Sequence, residues 1–195
     1  CIRLSTIKPS GTLSLLAGAS PGVHPAYSKY YIRRIRFSSN DILISKLRES
    51  GYKIEYQIGF DDKIDHNTVV VEFPCFAGDN VITSDKMTAI EQLELVKKLQ
   101  TIWADNSISC TVYYHKEELN NIKIWLKDNY KNSIKSISFL LHSDHGFKQA
   151  PYEPISENNY NLLIKNIKDI KFDYSYSGRY SEDNLECESG HCPIK

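Results

Sequence analysis

The run from Ile108 to Leu141 constrains the fold of this chain more than any other stretch. Residues 108–114, Ile-Ser-Cys-Thr-Val-Tyr-Tyr, are short, β-branched and aromatic, as a strand requires. Residues 116–130 place Leu119, Ile122, Trp125 and Leu126 on one side of a helical repeat, and residues 134–141 return to an apolar strand. Strand, helix and strand with short joints demand a parallel pair and a right-handed crossover. The expected architecture is therefore α/β rather than a sandwich.

The remaining pattern fits this class. Residues 26–37 read as a partly exposed strand. A helix follows over 39–50, with Ser39 or Asn40 as cap and Gly51 as its end. Residues 52–58 read as a strand, 59–67 as a polar loop, and 68–73 as a strand buried on both faces that Pro74 stops. The strongest helix pattern runs from Ser84, a plausible cap, to Asn106, with a wide apolar face through Leu93, Leu99 and Trp103. Asp105 and Asn106 then cap and turn the chain, and a last helix covers 156–170. From Lys171 the composition turns polar without an apolar period, as in a flexible linker. Two regions result: a folded part over 1–170 and a tail over 171–195.

Lys plus Arg equal Asp plus Glu at 24 each, so the surface lacks the basic excess of a nucleic-acid-coating protein. No apolar stretch is long enough to span a membrane, and no secretory signal pattern opens the chain. The five cysteines, Cys1, Cys75, Cys110, Cys187 and Cys192, are odd in number and scattered, which fits a reducing cytoplasm better than a disulfide scaffold. A start at Cys1 that runs straight into a binding motif reads as a truncation or a processed piece.

That motif occupies residues 6–25. Ser10, Gly11, Thr12 and Ser14 precede and enter a short apolar helix ending near Gly18. Glycine lets a ligand approach the backbone, and hydroxyls with the unpaired N–H groups of a first helical turn suit a phosphate. The same residues also describe an ordinary helix start that binds nothing. At the other end, Cys187 and Cys192 flank Glu-Ser-Gly-His; two exposed thiols so spaced can close and exchange with another disulfide, and His191 can raise the thiolate fraction. An incomplete zinc ligand set or an idle tail is the competing reading. Arg33, Arg34 and Arg36 read as a solvated strand face rather than phosphate ligands, because strand neighbours point apart. Cys75 and Cys110 read as packing. His142-Ser-Asp-His145 reads as a polar turn, since no third metal ligand is placed by the sequence.

The residues 8–16, Lys-Pro-Ser-Gly-Thr-Leu-Ser-Leu-Leu, with Ser-Pro-Gly-Val-His-Pro over 20–25, resemble the adenosylcobalamin-dependent (class II) ribonucleoside-triphosphate reductases. The resemblance continues through Tyr30-x-Ile-Arg-Arg-x-Arg36, His142-x-x-His-Gly-Phe-x-Gln-Ala-Pro151 and Cys187-x4-Cys-Pro-Ile-Lys195, and so covers essentially the whole chain. It implies the C-terminal part of a ten-stranded α/β barrel plus a flexible tail. It further implies that Ser10, Gly11, Thr12 and Ser14 hold the phosphates of a ribonucleoside triphosphate. Cys187 and Cys192 would then shuttle electrons from thioredoxin. Adenosylcobalamin would serve the complete enzyme, whose N-terminal remainder carries the radical cysteine; none of Cys1, Cys75 and Cys110 sits in that context. No residue is assigned to cobalamin, His24 reading as a turn or core histidine. Alone the chain would be inactive. The alternative is a non-catalytic remnant that binds a nucleotide or a partner barrel. An independent thiol oxidoreductase ranks last, for want of a Cys-x-x-Cys at a helix start.

Overall fold

The computed structural model describes residues 3–11, 13–59, 61–142 and 148–170. The crossover unit forms as expected: β4 (Thr111–Tyr114), a 3-10 turn (Lys116–Glu118), α4 (Leu119–Ser133) and β5 (Ser138–Leu141), with β4 and β5 parallel and Val112 opposite Phe139. α3 (Ala89–Ile102) packs with α4 over these strands, and Leu93, Val96, Ile108, Val112, Ile122 and Trp125 make the main core. The chain before the first helix lies alongside: Asp105 accepts the N–H groups of Leu4 (2.8 Å) and Ser5 (2.9 Å), and Ser109 N–H reaches Ile7 O at 3.0 Å. The Asp105 carboxylate, expected to cap and turn the chain locally, instead anchors the approach to the loop across the fold.

The second sheet is antiparallel, in the order β2-β3-β1-β6. It contains β1 (Tyr30–Ser38), β2 (Lys53–Ile58), β3 (Ile64–Phe76) and β6 (Tyr152–Pro154). Val69, Val70, Val71 and Glu72 are buried on both faces of β3, as the unbroken run predicts. α2 (Leu43–Glu49) covers one face through Ile44 and Leu47. Among the described residues the strands do not close into a barrel; the ten-stranded expectation meets here a parallel pair beside an antiparallel sheet.

Several boundaries differ from expectation, each for a local reason. Pro74 does not stop β3. β2 pairs no further than Lys53 opposite Glu72, so Pro74 has a neighbour on one side and its missing N–H is tolerated. The long helix starts at Thr88, not Ser84: Thr88 and Glu91 form a reciprocal capping box, while the Ser84 hydroxyl donates to Tyr27 O at 2.8 Å. Neither Ser39 nor Asn40 caps α2; the Asp41 carboxylate takes Leu43 N–H at 2.8 Å. Gly51 ends α2 with φ +88, and a Cβ there would collide with Asn166 O, just beyond α5 (Glu157–Lys165). The expected loop at 59–67 is shorter: β3 begins at Ile64, paired with Ile58, so only the residues between β2 and β3 form the hairpin tip, and the register shifts at Tyr56/Gln57.

Candidate functional site

The phosphate-loop candidates sit where the approach segment enters α1 (Leu13–Leu16). Ser14 donates its backbone N–H to Ser10 O at 3.2 Å and its hydroxyl to the same carbonyl. That hydroxyl proton is therefore spent inside the turn. Gly11 points differently. A Cβ on it would meet nothing within 4 Å, and Gly11 lines a cavity of about 410 Å³. Ser10 and Ser14 are not among the lining residues. Thr12, Cys187 and Cys192 lie outside the described residues, as do Cys1 and His145.

The cavity is lined by Pro9 and Gly11 together with Tyr27, Tyr31, Tyr113, Tyr152 and Cys75, among others. Its size falls in the range of small-molecule sites, and among the described residues its lining contains no lysine, arginine, aspartate or glutamate. The rings pack on each other: Tyr27 and Tyr152 centroids stand 5.2 Å apart, and Tyr31 and Tyr152 5.7 Å. Burial, with help from neighbouring Cys75, pushes the Tyr31 phenol up to about 12. Burial also raises Tyr27, Tyr113 and the Cys75 thiol, whose hydrogen bond with Tyr31 opposes part of that rise. At neutral pH the Tyr27, Tyr31 and Tyr113 phenols are therefore uncharged and the Cys75 thiol is protonated, its proton directed at Phe73 O at 3.4 Å. Cys110 is buried in the core, its thiol pushed up to about 11, with Gln92 Nε2 at 3.3 Å; it is packing, as expected.

His24 is held at the cavity edge by both ring nitrogens. Nε2 accepts Thr111 N–H at 3.0 Å, which leaves the proton on Nδ1 for Pro21 O, also at 3.0 Å. It joins the loop to β4 and does not fit the role of a cobalt ligand. His142 stacks on His115 at 4.4 Å and lies 5.5 Å from the Tyr113 ring. Burial and the neighbouring His115 lower its pKa, against the raising influence of Glu118 and Asp85.

Arg34 overturns the expectation of a solvated face, while Arg36 is exposed as expected and Arg33 is half-buried. Arg34 is 8% exposed; its guanidinium pairs with Glu72 at 2.8 Å and with Glu153. Arg33 lies 4.3 Å over the Tyr152 ring, and Arg36 donates to Gln149 O at 3.3 Å. Alternation does send neighbours to opposite faces, but the segment 148–154 covers the edge on both sides. Sequence reasoning missed the four tyrosines, because their separate segments meet only in the fold.

With this geometry in place, the chain can be set beside known proteins. The profile described as "Ribonucleotide reductase, barrel domain" matches residues 2–140. This chain belongs to that family. It is 38% identical to an adenosylcobalamin-dependent ribonucleoside-triphosphate reductase of Levilactobacillus brevis, over all of this chain and 27% of that protein. It is 40% identical to a probable enzyme of the same name from Dictyostelium discoideum, over 99% of this chain and 25% of the relative. A crystal structure of a B-12 dependent (class II) ribonucleotide reductase superposes with a TM-score of 0.71 at 36% identity, covering 83% of this chain and 22% of the other. The chain thus spans about a quarter of the length of the curated relatives it matches.

Proposed function

We propose that this chain is the substrate-phosphate and redox-tail portion of an adenosylcobalamin-dependent reductase. The complete enzyme would convert ribonucleoside triphosphates to 2′-deoxyribonucleoside triphosphates. The observation that carries this reading is the alignment with a triphosphate reductase over the entire chain, loop and tail included. Residues 1–170 are part of a ten-stranded barrel in this account, with β4 and β5 as neighbouring parallel strands. The N-terminal remainder of the reductase supplies the other strands and the radical cysteine.

The backbone around Ser10, Gly11, Thr12 and Ser14 takes the phosphates, with Gly11 leaving room for close approach. The uncharged cavity beside Gly11 suits the neutral nucleoside rather than the phosphates. Adenosylcobalamin, when bound to the complete enzyme, supplies the radical that starts the reaction. Each turnover removes the ribose 2′-hydroxyl as water and leaves two active-site thiols as a disulfide. Cys187 and Cys192 reduce that disulfide by exchange, passing two electrons and two protons and becoming a disulfide themselves. Thioredoxin then returns them to the dithiol in the cytoplasm. Reach does not limit this, since about 20 extended residues span up to roughly 65 Å.

The test is a double substitution, Cys187→Ser with Cys192→Ser, in enzyme assembled with the N-terminal remainder. Thioredoxin-driven turnover should stop while one round of reduction survives. Equal loss of both, or turnover by the chain alone, contradicts the assignment. Tail thiols inert to thioredoxin would favour the non-catalytic remnant.

A further inference from the structure

Away from the phosphate loop, the arginines of β1 grip the segment 148–154. Lys148 Nζ meets Asp62 at the hairpin tip at 2.9 Å. Gln149 is buried where the β2 register shifts; its Oε1 takes Ile58 N–H at 2.9 Å and its Nε2 donates to Tyr56 O at 3.0 Å. Arg36 holds Gln149 O, and Arg34 Nη1 donates to Ala150 O at 3.1 Å. Arg34 N–H reaches Pro151 O at 2.9 Å, and Arg33 Nη1 reaches the same carbonyl at 3.3 Å. The run Arg33-Arg34-x-Arg36 thus meets one strap at four carbonyl contacts, while Arg36 also donates to Gln57 Oε1 at 2.8 Å and Arg34 to Glu72.

A buried Arg–Glu pair adds little net stability, so the cluster needs another explanation. β6 pairs with β1 through three residues, Tyr152 opposite Arg33, Glu153 opposite Ile32 and Pro154 opposite Tyr31. So short a ladder specifies its register weakly, and a slip of one residue would turn Tyr152 to the other face of the sheet. Glu153 and Tyr152 point to opposite faces. Arg34 holds Glu153 and Glu72 on one face, while Tyr152 meets Tyr27 and Tyr31 on the cavity side.

We propose that Arg34 is the positioning residue for Tyr152. Through Glu153 and the carbonyls of Ala150 and Pro151 it locks the register of the strap, so that the Tyr152 ring takes its place in the cavity wall. What the cavity then holds rests on the functional reading above; the register lock does not.

Cys75 lines the same cavity and reports on its wall. Iodoacetamide alkylation of the full chain at pH 8 is followed cysteine by cysteine by peptide mass spectrometry. Tyr152→Ala and Arg34→Gln should each speed Cys75 alkylation on the order of tenfold through local opening, with buried Cys110 still unreactive. Tyr152→Phe should keep the parent rate. Arg34→Lys should not, because one ammonium cannot span two carboxylates and the Ala150 carbonyl. If Arg34→Gln unfolds the chain, seen as reactive Cys110, then Glu153→Gln should raise Cys75 reactivity with Cys110 protected. Parent-like Cys75 in a folded Arg34→Gln or Glu153→Gln chain, or an increase confined to Tyr152→Ala, overturns the positioning role. No nucleotide enters this assay. Failure of the phosphate-loop reading shows separately, as loss of triphosphate binding in the assembled enzyme.

Discussion

Replacing Gln149 by leucine, nearly its equal in size, should cost about 2 kcal/mol of folding free energy. The side chain is buried and answers two backbone groups at the β2 irregularity, Ile58 N–H at 2.9 Å and Tyr56 C=O at 3.0 Å. Leucine keeps the volume and removes both partners. Each orphaned buried group costs about 1–3 kcal/mol, and the lower end applies because Tyr56 is half exposed at a sheet edge. For a domain of this size, 2 kcal/mol lowers the melting temperature by roughly 4–8 °C. Urea denaturation measures the total. Hydrogen exchange locates it: the Ile58 amide should exchange about 30-fold faster. Gln149→Glu should fare no better, because its carboxylate would face the Tyr56 carbonyl in place of a donor. A leucine variant within about 0.5 kcal/mol of the parent, with Ile58 exchange unchanged, would refute the idea that this side chain pins the strap to the hairpin.

Acid should loosen the junction between the exits of β4 and β5. The folded pKa of His142 lies below the ordinary histidine value, so the unfolded chain binds the extra proton first. The contribution is complete above the ordinary value of about 6.5 and is lost as pH falls toward the lowered one. In urea titrations His142→Phe, which can still stack on His115, should flatten the slope in that window; an unchanged slope would count against the stack. Gly22→Ala should destabilise by about 1–3 kcal/mol, since φ is +59 and the new Cβ would lie 2.8 Å from Lys8 O, immediately before the loop. Thermal unfolding within error of the parent would contradict that geometry. Leu93→Ala, in the fully buried heart of the main core, should cost about 2–5 kcal/mol by denaturation; a cost under 1 kcal/mol would mean the site collapses around it.

The crossover unit was legible because its signals are local: a β-branched run, an amphipathic repeat, and another apolar run with short joints. The antiparallel sheet was legible strand by strand but not as a sheet, since pairing joins distant residues. β6, three residues long, carries no period at all. Ser84 was the first hydroxyl before the apolar face and so drew the helix start. The better signal was Thr88 with Glu91 three residues on, a reciprocal cap. Alternation in residues 30–36 separated the arginines by face but could not say what covers them, because Ala150 stands 116 residues from Arg34. At the site, spacing left the Gly11 loop open to an ordinary helix start, and only its resemblance to the reductase motif marked it as a phosphate loop. The tyrosine wall was not readable, because Tyr27, Tyr31, Tyr113 and Tyr152 share no interval that marks them as partners.

The most direct test of the central claim is the affinity of the assembled enzyme for a ribonucleoside triphosphate when Gly11 is replaced by alanine. The added methyl meets nothing within 4 Å among the described residues of this chain, so the melting temperature should stay that of the parent. A phosphate held against this backbone would meet the methyl, and equilibrium titration should then show binding weakened by on the order of tenfold, about 1.4 kcal/mol. Unchanged affinity, with folding equally unchanged, would place the phosphates elsewhere and contradict the account.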